Sequence, residues 1–378
     1  MRFNPSVKLK KDDVRVSSAI VGIAAGCAFI GIGVPTCRAT ILSPQHVVVV
    51  IEENHSYSQI IGDVTDAPYI NNTLVGQGGL LYSGSYSPEH PSQPNYLDLF
   101  SGSNQGITGD YLPSAPQYTE PLANAANLGA QLLNSGHTFH EYNQSYSPID
   151  NTSSYNQASY NAYSGISGAT SAQLSDTYVR KHNAVVNWVN PNLTAVSGNL
   201  LPLSTMSGFS EFPTTASGYA SLPTVSFVIP NLENDMHNGS IATGDAWLQQ
   251  NLSGYLQWAK TNDSLLLVTW DENNYTLPDS NHIATIINGD PSLFVAGNSQ
   301  QVFNSYSVLR TLEDMYGLGY AGNASTSPDL ATNAAGQLIA TPEPASLAIC
   351  LIGMIAILLP VRRRSNSPRQ AAKSALLS

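Results

Sequence analysis

Short apolar runs recur along the chain, each cut off by polar residues. His46-Val47-Val48-Val49-Val50-Ile51 is a continuous β-branched run, too short for an ordinary helix, and predicts a central strand buried on both faces. It stops at Glu52-Glu53-Asn54-His55-Ser56. The arrangement returns in Val225-Ser226-Phe227-Val228-Ile229 before Pro230-Asn231, and in Leu265-Leu266-Leu267-Val268-Thr269-Trp270 before Asp271-Glu272. Leu80-Leu81-Tyr82 and Ile283 to Ile287 read as further strands. From Asp245 to Lys260 the period changes, with Trp247, Leu248, Leu252, Leu256 and Ala259 on one helical face behind a Gly244-Asp245 cap. Strands alternating with helices predict an α/β fold, a mostly parallel central sheet with helices on both faces. Asn143 to Tyr178 and Thr205 to Ser221 are rich in small and polar residues with little periodicity, and read as surface loops. His137 and His140 read as structural polar residues.

In an open sheet of this kind ligands bind beyond the carboxyl ends of the strands, so Glu53, Asn54, Asp271 and Glu272 are expected to converge. Ser92 is expected to join them. In His90-Pro91-Ser92-Gln93-Pro94-Asn95-Tyr96 a strand gives way to a helix whose first turn Pro94 sets, and the N–H groups there face an anion with the positive end of the helix dipole. Side-by-side carboxylates and carbonyls suit a hard divalent cation. Asn234 to Gly239 adds Asp235 and His237 after another strand, and Asn281-His282 precedes one. Taken singly, each pair also fits a capping or solvated turn.

Composition narrows the chemistry. Residues 40–341 carry four basic groups, Arg180, Lys181, Lys260 and Arg310, against 23 acidic ones, a formal charge of −19. Such a surface excludes nucleic-acid binding. Phosphate chemistry on it has to lean on a bound cation, on helix N-termini or on the few cations present. Tyr178 to Asn183 holds half of those cations, as positive charge for an anionic substrate or as a solvated helix face. Cys27, Cys37 and Cys350 all lie in terminal segments, so the body has no disulfide.

The two ends read as addresses. Residues 1–39 have a basic start, an apolar run from Ala19 to Val34 and a small-residue cleavage site at Cys37-Arg38-Ala39, as in an export signal. An uncleaved anchor is the alternative. Pro342-Glu343-Pro344 precedes an apolar run from Ala345 to Val361 and Arg362-Arg363-Arg364, long enough to enter the inner membrane with a positive-inside stop. Residues 342–364 thus resemble a PEP-CTERM sorting tail, which implies a sorting protease of the exosortase type. A polar tail over 365–378 departs from that pattern. Residues 40–341 remain as one domain outside the cytoplasm.

Within this domain the chain is similar to the phosphoesterase family of the alkaline-phosphatase-like superfamily, which includes bacterial acid phosphatases and phospholipases C. The resemblance rests on Glu53-Asn54-His55-Ser56, His90 to Tyr96, Lys181-His182-Asn183, Pro230-Asn231 to Asp235-Met236-His237, Trp270-Asp271-Glu272 and Tyr306 to Thr311. It implies a divalent metal ion of unidentified element on Glu53, Asn54, Ser92, Asp271 and Glu272, with Ser92 as nucleophile and His237 as acid for the leaving group. Asp235, His237 and His282 stay open as ligands of a second metal, and Lys181 and His182 as phosphate contacts. The expected activity is that of an acid-phosphatase-like phosphomonoesterase of the cell envelope, hydrolysing its substrate through a phosphoserine, with a phospholipase C-type diesterase and a catalytically silent surface protein as alternatives.

Overall fold

A computed structural model of the 378-residue chain describes residues 40–41, 43–111, 122–146, 178–275, 280–330 and 340–341. The export-signal and sorting-tail segments lie outside those residues, as does most of the loop over 143–178. The strands are β1 (Thr40–Ile41), β2 (His46–Glu52), β3 (Leu80–Tyr86), β4 (Phe139–Asn143), β5 (Met206–Gly208), β6 (Val225–Ile229), β7 (Ser264–Trp270), β8 (His282–Gly289), β9 (Gly297–Asn304) and β10 (Ala340–Thr341). The α-helices are α1 (Tyr57–Ile60), α2 (Ser92–Ser101), α3 (Leu128–Asn134), α4 (Ala216–Tyr219), α5 (Ile241–Ala259) and α6 (Ser305–Met315). β1 and β10 form a two-residue antiparallel bridge of their own.

Eight strands make one sheet in the order β5-β4-β6-β2-β7-β8-β3-β9. Every neighbouring pair is parallel except the two that β8 makes, with β7 and with β3. The expected mostly parallel sheet is therefore present, with one strand reversed. β2 sits in the middle because its valines can be buried on either side: Val47, Val49 and Ile51 enter one core with α2, α3 and α6, while Val48 and Val50 enter the other with α5. On α5 the apolar face predicted by the period of 3.6 is the buried one, with Trp247, Leu248, Leu252, Leu256 and Ala259 against the sheet. The helix starts earlier than expected, at Ile241, because the Ser240 side chain accepts the Thr243 N–H as its cap.

Two stretches depart from the sequence reading. Thr205 to Ser221 is not a plain surface loop: it supplies edge strand β5 and helix α4, and buries Met206, Phe212 and Tyr219. Three widely spaced apolar anchors show no period, yet they suffice to pin a segment against a sheet that already exists. The β9 sequence, Gly-Asn-Ser-Gln-Gln-Val-Phe-Asn, is too polar to announce a strand, but as an edge it needs only one buried face and one partner, β3. Among the described residues no helix is long and apolar enough to cross a membrane.

Candidate active site

Register brings the acidic residues together. Glu52 lies opposite Trp270 in the parallel β2–β7 pair, so the next residues, Glu53 and Asp271, leave adjacent strands side by side. Main-chain bonds fix the exits: the Asp271 N–H donates to the Glu52 carbonyl at 2.9 Å, and the Glu53 N–H to the Asp235 carbonyl at 2.8 Å. Asn54 turns with φ 54°, a left-handed conformation that Asn tolerates better than most residues. Its N–H donates to Asp271 Oδ1 at 3.2 Å, which also receives the Glu272 N–H at 2.6 Å.

Ser92 is the first residue of α2, after Pro91 at the cap position and a cis His90–Pro91 peptide, and Pro94 occupies the first turn as expected. Its hydroxyl donates toward Glu53 Oε2 at 3.1 Å and Glu272 Oε1 at 3.3 Å. One helical turn on, the Tyr96 hydroxyl donates to Glu53 Oε1 at 2.8 Å, and its ring stacks on His182 at 5.3 Å. His90 Nδ1 meets Glu272 Oε2 at 2.6 Å.

A second layer is organised by Asp235. Its Oδ2 faces His182 Nδ1 at 3.2 Å, and its Oδ1 accepts the His237 N–H at 2.8 Å, while His182 Nε2 lies 3.2 Å from Glu53 Oε1. Lys181 donates to Asp110 Oδ2 at 2.9 Å and reaches His237 Nε2 at 3.4 Å. The imidazole of His237 thus turns Nε2 to an ammonium donor and Nδ1 to Asn238 Oδ1 at 2.8 Å, which selects the tautomer protonated on Nδ1. In this arrangement the proton between Lys181 and His237 belongs to Lys181.

Burial dominates the electrostatics. It holds Glu53 and Asp235 well above the ordinary carboxylate range, with Asp271 adding to both, and it pushes Asp271 up to about 7 and Glu272 to about 9. It holds His182 well below the ordinary imidazole range, helped by Lys181, and lowers His237 in the same way. On Lys181 burial pulls downward, but Asp110 and Glu53 outweigh it and the ammonium is favoured.

Such a concentration of buried carboxyls fits a cation. Asn54 Oδ1 and Asp271 Oδ2 are buried without a hydrogen-bond partner, a costly state that a metal ion removes. With Glu53, Glu272 and Ser92 they form the oxygen set a hard divalent cation takes. Among the described residues, Glu53, His182 and His237 also bring ligand atoms within 4.8 Å of one another, so Glu53 borders two groups of donors. His282 belongs to neither: its ring lies between Tyr57 and Tyr86, and its Nε2 contacts the Ser83 carbonyl at 3.0 Å.

The model of the Phosphoesterase family matches residues 72–286. This chain belongs to that family. As a phosphoesterase it is a hydrolase acting on phosphate esters. A Mycobacterium tuberculosis protein named phosphatidylinositol-3-phosphatase is 39% identical over 287 residues, covering 75% of this chain and 81% of that one. A Kluyveromyces lactis protein named probable acid phosphatase is 25% identical over 72% of this chain, and an Aspergillus fumigatus acid phosphatase 26% identical over 67%. Of these fungal relatives the chain spans 58% and 52%.

Of the residues singled out in the sequence, the fold of this phosphoesterase gathers Glu53, Asn54, Ser92, Lys181, His182, Asp235, His237, Asp271 and Glu272, and leaves His282 aside. Sequence reasoning gave no role to His90, Tyr96 or Asp110. For Tyr96 a signal exists, since position i+4 on a helix shares the face of Ser92. Asp110 sits in a loop with no local pattern and arrives only through tertiary structure.

Proposed function

We propose that this phosphoesterase is an exported, metal-dependent phosphomonoesterase that works through a phosphoserine on Ser92. The observation that carries the reading is the Ser92 hydroxyl at the start of α2, bonded to Glu53 and Glu272 beside the partnerless oxygens of Asn54 and Asp271. Glu53, Asn54, Ser92, Asp271 and Glu272 would hold the divalent ion. When bound, it neutralises their charge and that of the phosphate and eases ionisation of a nearby hydroxyl. Ser92 Oγ attacks phosphorus and gives its proton to one of its two carboxylate partners, so an Oγ–P bond forms as the bond from phosphorus to the ester oxygen breaks. The departing oxygen takes a proton from the Lys181–His237 pair. Water then attacks phosphorus and gives a proton back to the Lys181–His237 pair, the Oγ–P bond breaks as the carboxyl returns the proton it took to Ser92 Oγ, and phosphate leaves.

Monoesters are the substrate class favoured by the 39% identical relative, whose name specifies a phosphate monoester of an inositol lipid. Export, a domain over residues 40–341 and a C-terminal segment handled by a sorting protease are parts of the same proposal, carried by the sequence of the two ends. The deciding experiment quenches turnover of an aryl phosphate monoester in acid and looks for phosphate on the peptide containing Ser92. We expect phosphoserine there in the parent, and neither phosphopeptide nor turnover in Ser92→Ala. Retained turnover in Ser92→Ala rejects the mechanism, and faster hydrolysis of the matching diester rejects the monoesterase assignment.

A further inference from the structure

We propose that Asp110 is a built-in counter-charge that limits how tightly this site holds phosphate, an inference that rests on the reading of Ser92 as the phosphate-accepting residue. The two oxygens of Asp110 each take a donor that a bound phosphate would use. Oδ1 accepts the Gln93 N–H at the start of α2 at 3.0 Å, and Oδ2 accepts the Lys181 ammonium at 2.9 Å. Because Pro94 has no N–H, the first turn of α2 offers only the N–H groups of Ser92 and Gln93 to an anion. One of those two is already taken.

Positive charge is equally scarce. Among the described residues Arg310 is committed to Asp314 and Asp329, Lys260 donates to the Gln77 carbonyl, and buried Arg180 reaches Asn187. Lys181 meets the site directly, through His237 as well as Asp110, and Asp110 cancels its charge. The carboxylate is also held in place: the next residue, Tyr111, donates its N–H back to the Gln93 side chain at 2.7 Å. Loop and helix start are thereby locked reciprocally. Such a device weakens product binding as well as substrate binding, so a site built from a cation and a helix start does not retain the inorganic phosphate it releases.

The test uses the full chain with divalent cation supplied and inorganic phosphate as competitive inhibitor. Asp110→Asn keeps an acceptor for the Gln93 N–H and removes both the charge and the acceptor that holds the Lys181 ammonium. The inhibition constant for phosphate should fall about tenfold, with KM for the monoester falling in step, and Asp110→Glu should return both toward the parent values. An unchanged or raised inhibition constant in Asp110→Asn, in protein that melts like the parent, overturns the proposal and leaves Asp110 as a structural clamp. Should Asp110→Asn not fold, Asp110→Ser, which also keeps an acceptor without charge, is read by the same two outcomes. Repeating the phosphate titration in the Ser92→Ala background by phosphorus NMR separates the two readings. There Asp110→Asn should tighten phosphate binding whether or not Ser92 is the nucleophile.

Discussion

Asp235 shows how much of the chemistry at this site depends on a residue that need not touch substrate. Its carbonyl fixes the exit of Glu53, its Oδ2 orients His182, and its Oδ1 anchors the backbone of His237. Asparagine in its place has one acceptor where two are used, and its amide would oppose either the His182 ring or the His237 N–H. Asp235→Asn should therefore lower kcat/KM at least about tenfold, as expected when several positioned groups depend on one, while circular dichroism stays that of the parent. Activity within a factor of two of the parent would show that the histidines do not need this anchor. The residue types and the strand-end positions of Glu53, Asn54, Asp271 and Glu272 were readable in the sequence, since each pair follows directly on an apolar run that marks a buried strand. Their partners were not: Tyr96 and His90 look like ordinary helix and loop residues until the fold lays them against Glu53 and Glu272.

At the scale of elements, α2 is the part on which the site turns, because it carries Ser92 at its first position and is clamped at both ends. Its far end closes on Gly102, with φ 70° and its N–H on the Asp98 carbonyl. A Cβ there would stand 2.2 Å from the Ala321 carbonyl oxygen and 2.8 Å from its carbon. Gly102→Ala therefore meets left-handed strain and a backbone collision together. We expect a loss of more than about 1 kcal/mol, seen as a lower urea midpoint with an unchanged m-value, and an equal midpoint would show that the Ala321 segment yields freely. The start of α2 was legible from its proline and apolar turn, as were β2, β6 and β7 from short, mostly apolar runs ended by polar residues, the pattern that burial on both faces imposes. Edge strands β5 and β9 were not, since one buried face and one partner impose almost no pattern on the residues between.

For the whole molecule, the governing fact is a body with a formal charge of −19 that buries several of its carboxyls instead of leaving them all in water. The parallel sheet explains how this is possible, because it brings residues far apart in sequence to one edge, where a shared cation can hold them. Away from that edge, burial pushes Asp98 and Glu141 up to about 8 each. A carboxyl whose pKa is raised by folding keeps a proton that the unfolded chain has released by about pH 5, so its contribution to stability is complete at low pH and is lost as pH rises through the folded value. Between about pH 6.5 and 8.5 the chelated protein should lose stability with rising pH through Asp98, Glu141, Asp271 near 7 and Glu272 near 9. His140, lowered to about 4 by burial, acts in the opposite direction but only below about pH 6.5, where the unfolded imidazole takes up its proton. Saturating divalent cation favours the ionised forms of Asp271 and Glu272, removes their share of the slope and leaves that of Asp98 and Glu141. Melting temperatures recorded across this range with chelator and with cation should therefore diverge as pH rises, the cation raising the melting temperature most at pH 8.5. Asp271→Asn should reduce the divergence and Asp98→Asn should not. Parallel curves with and without cation would show that these carboxyls are not its ligands.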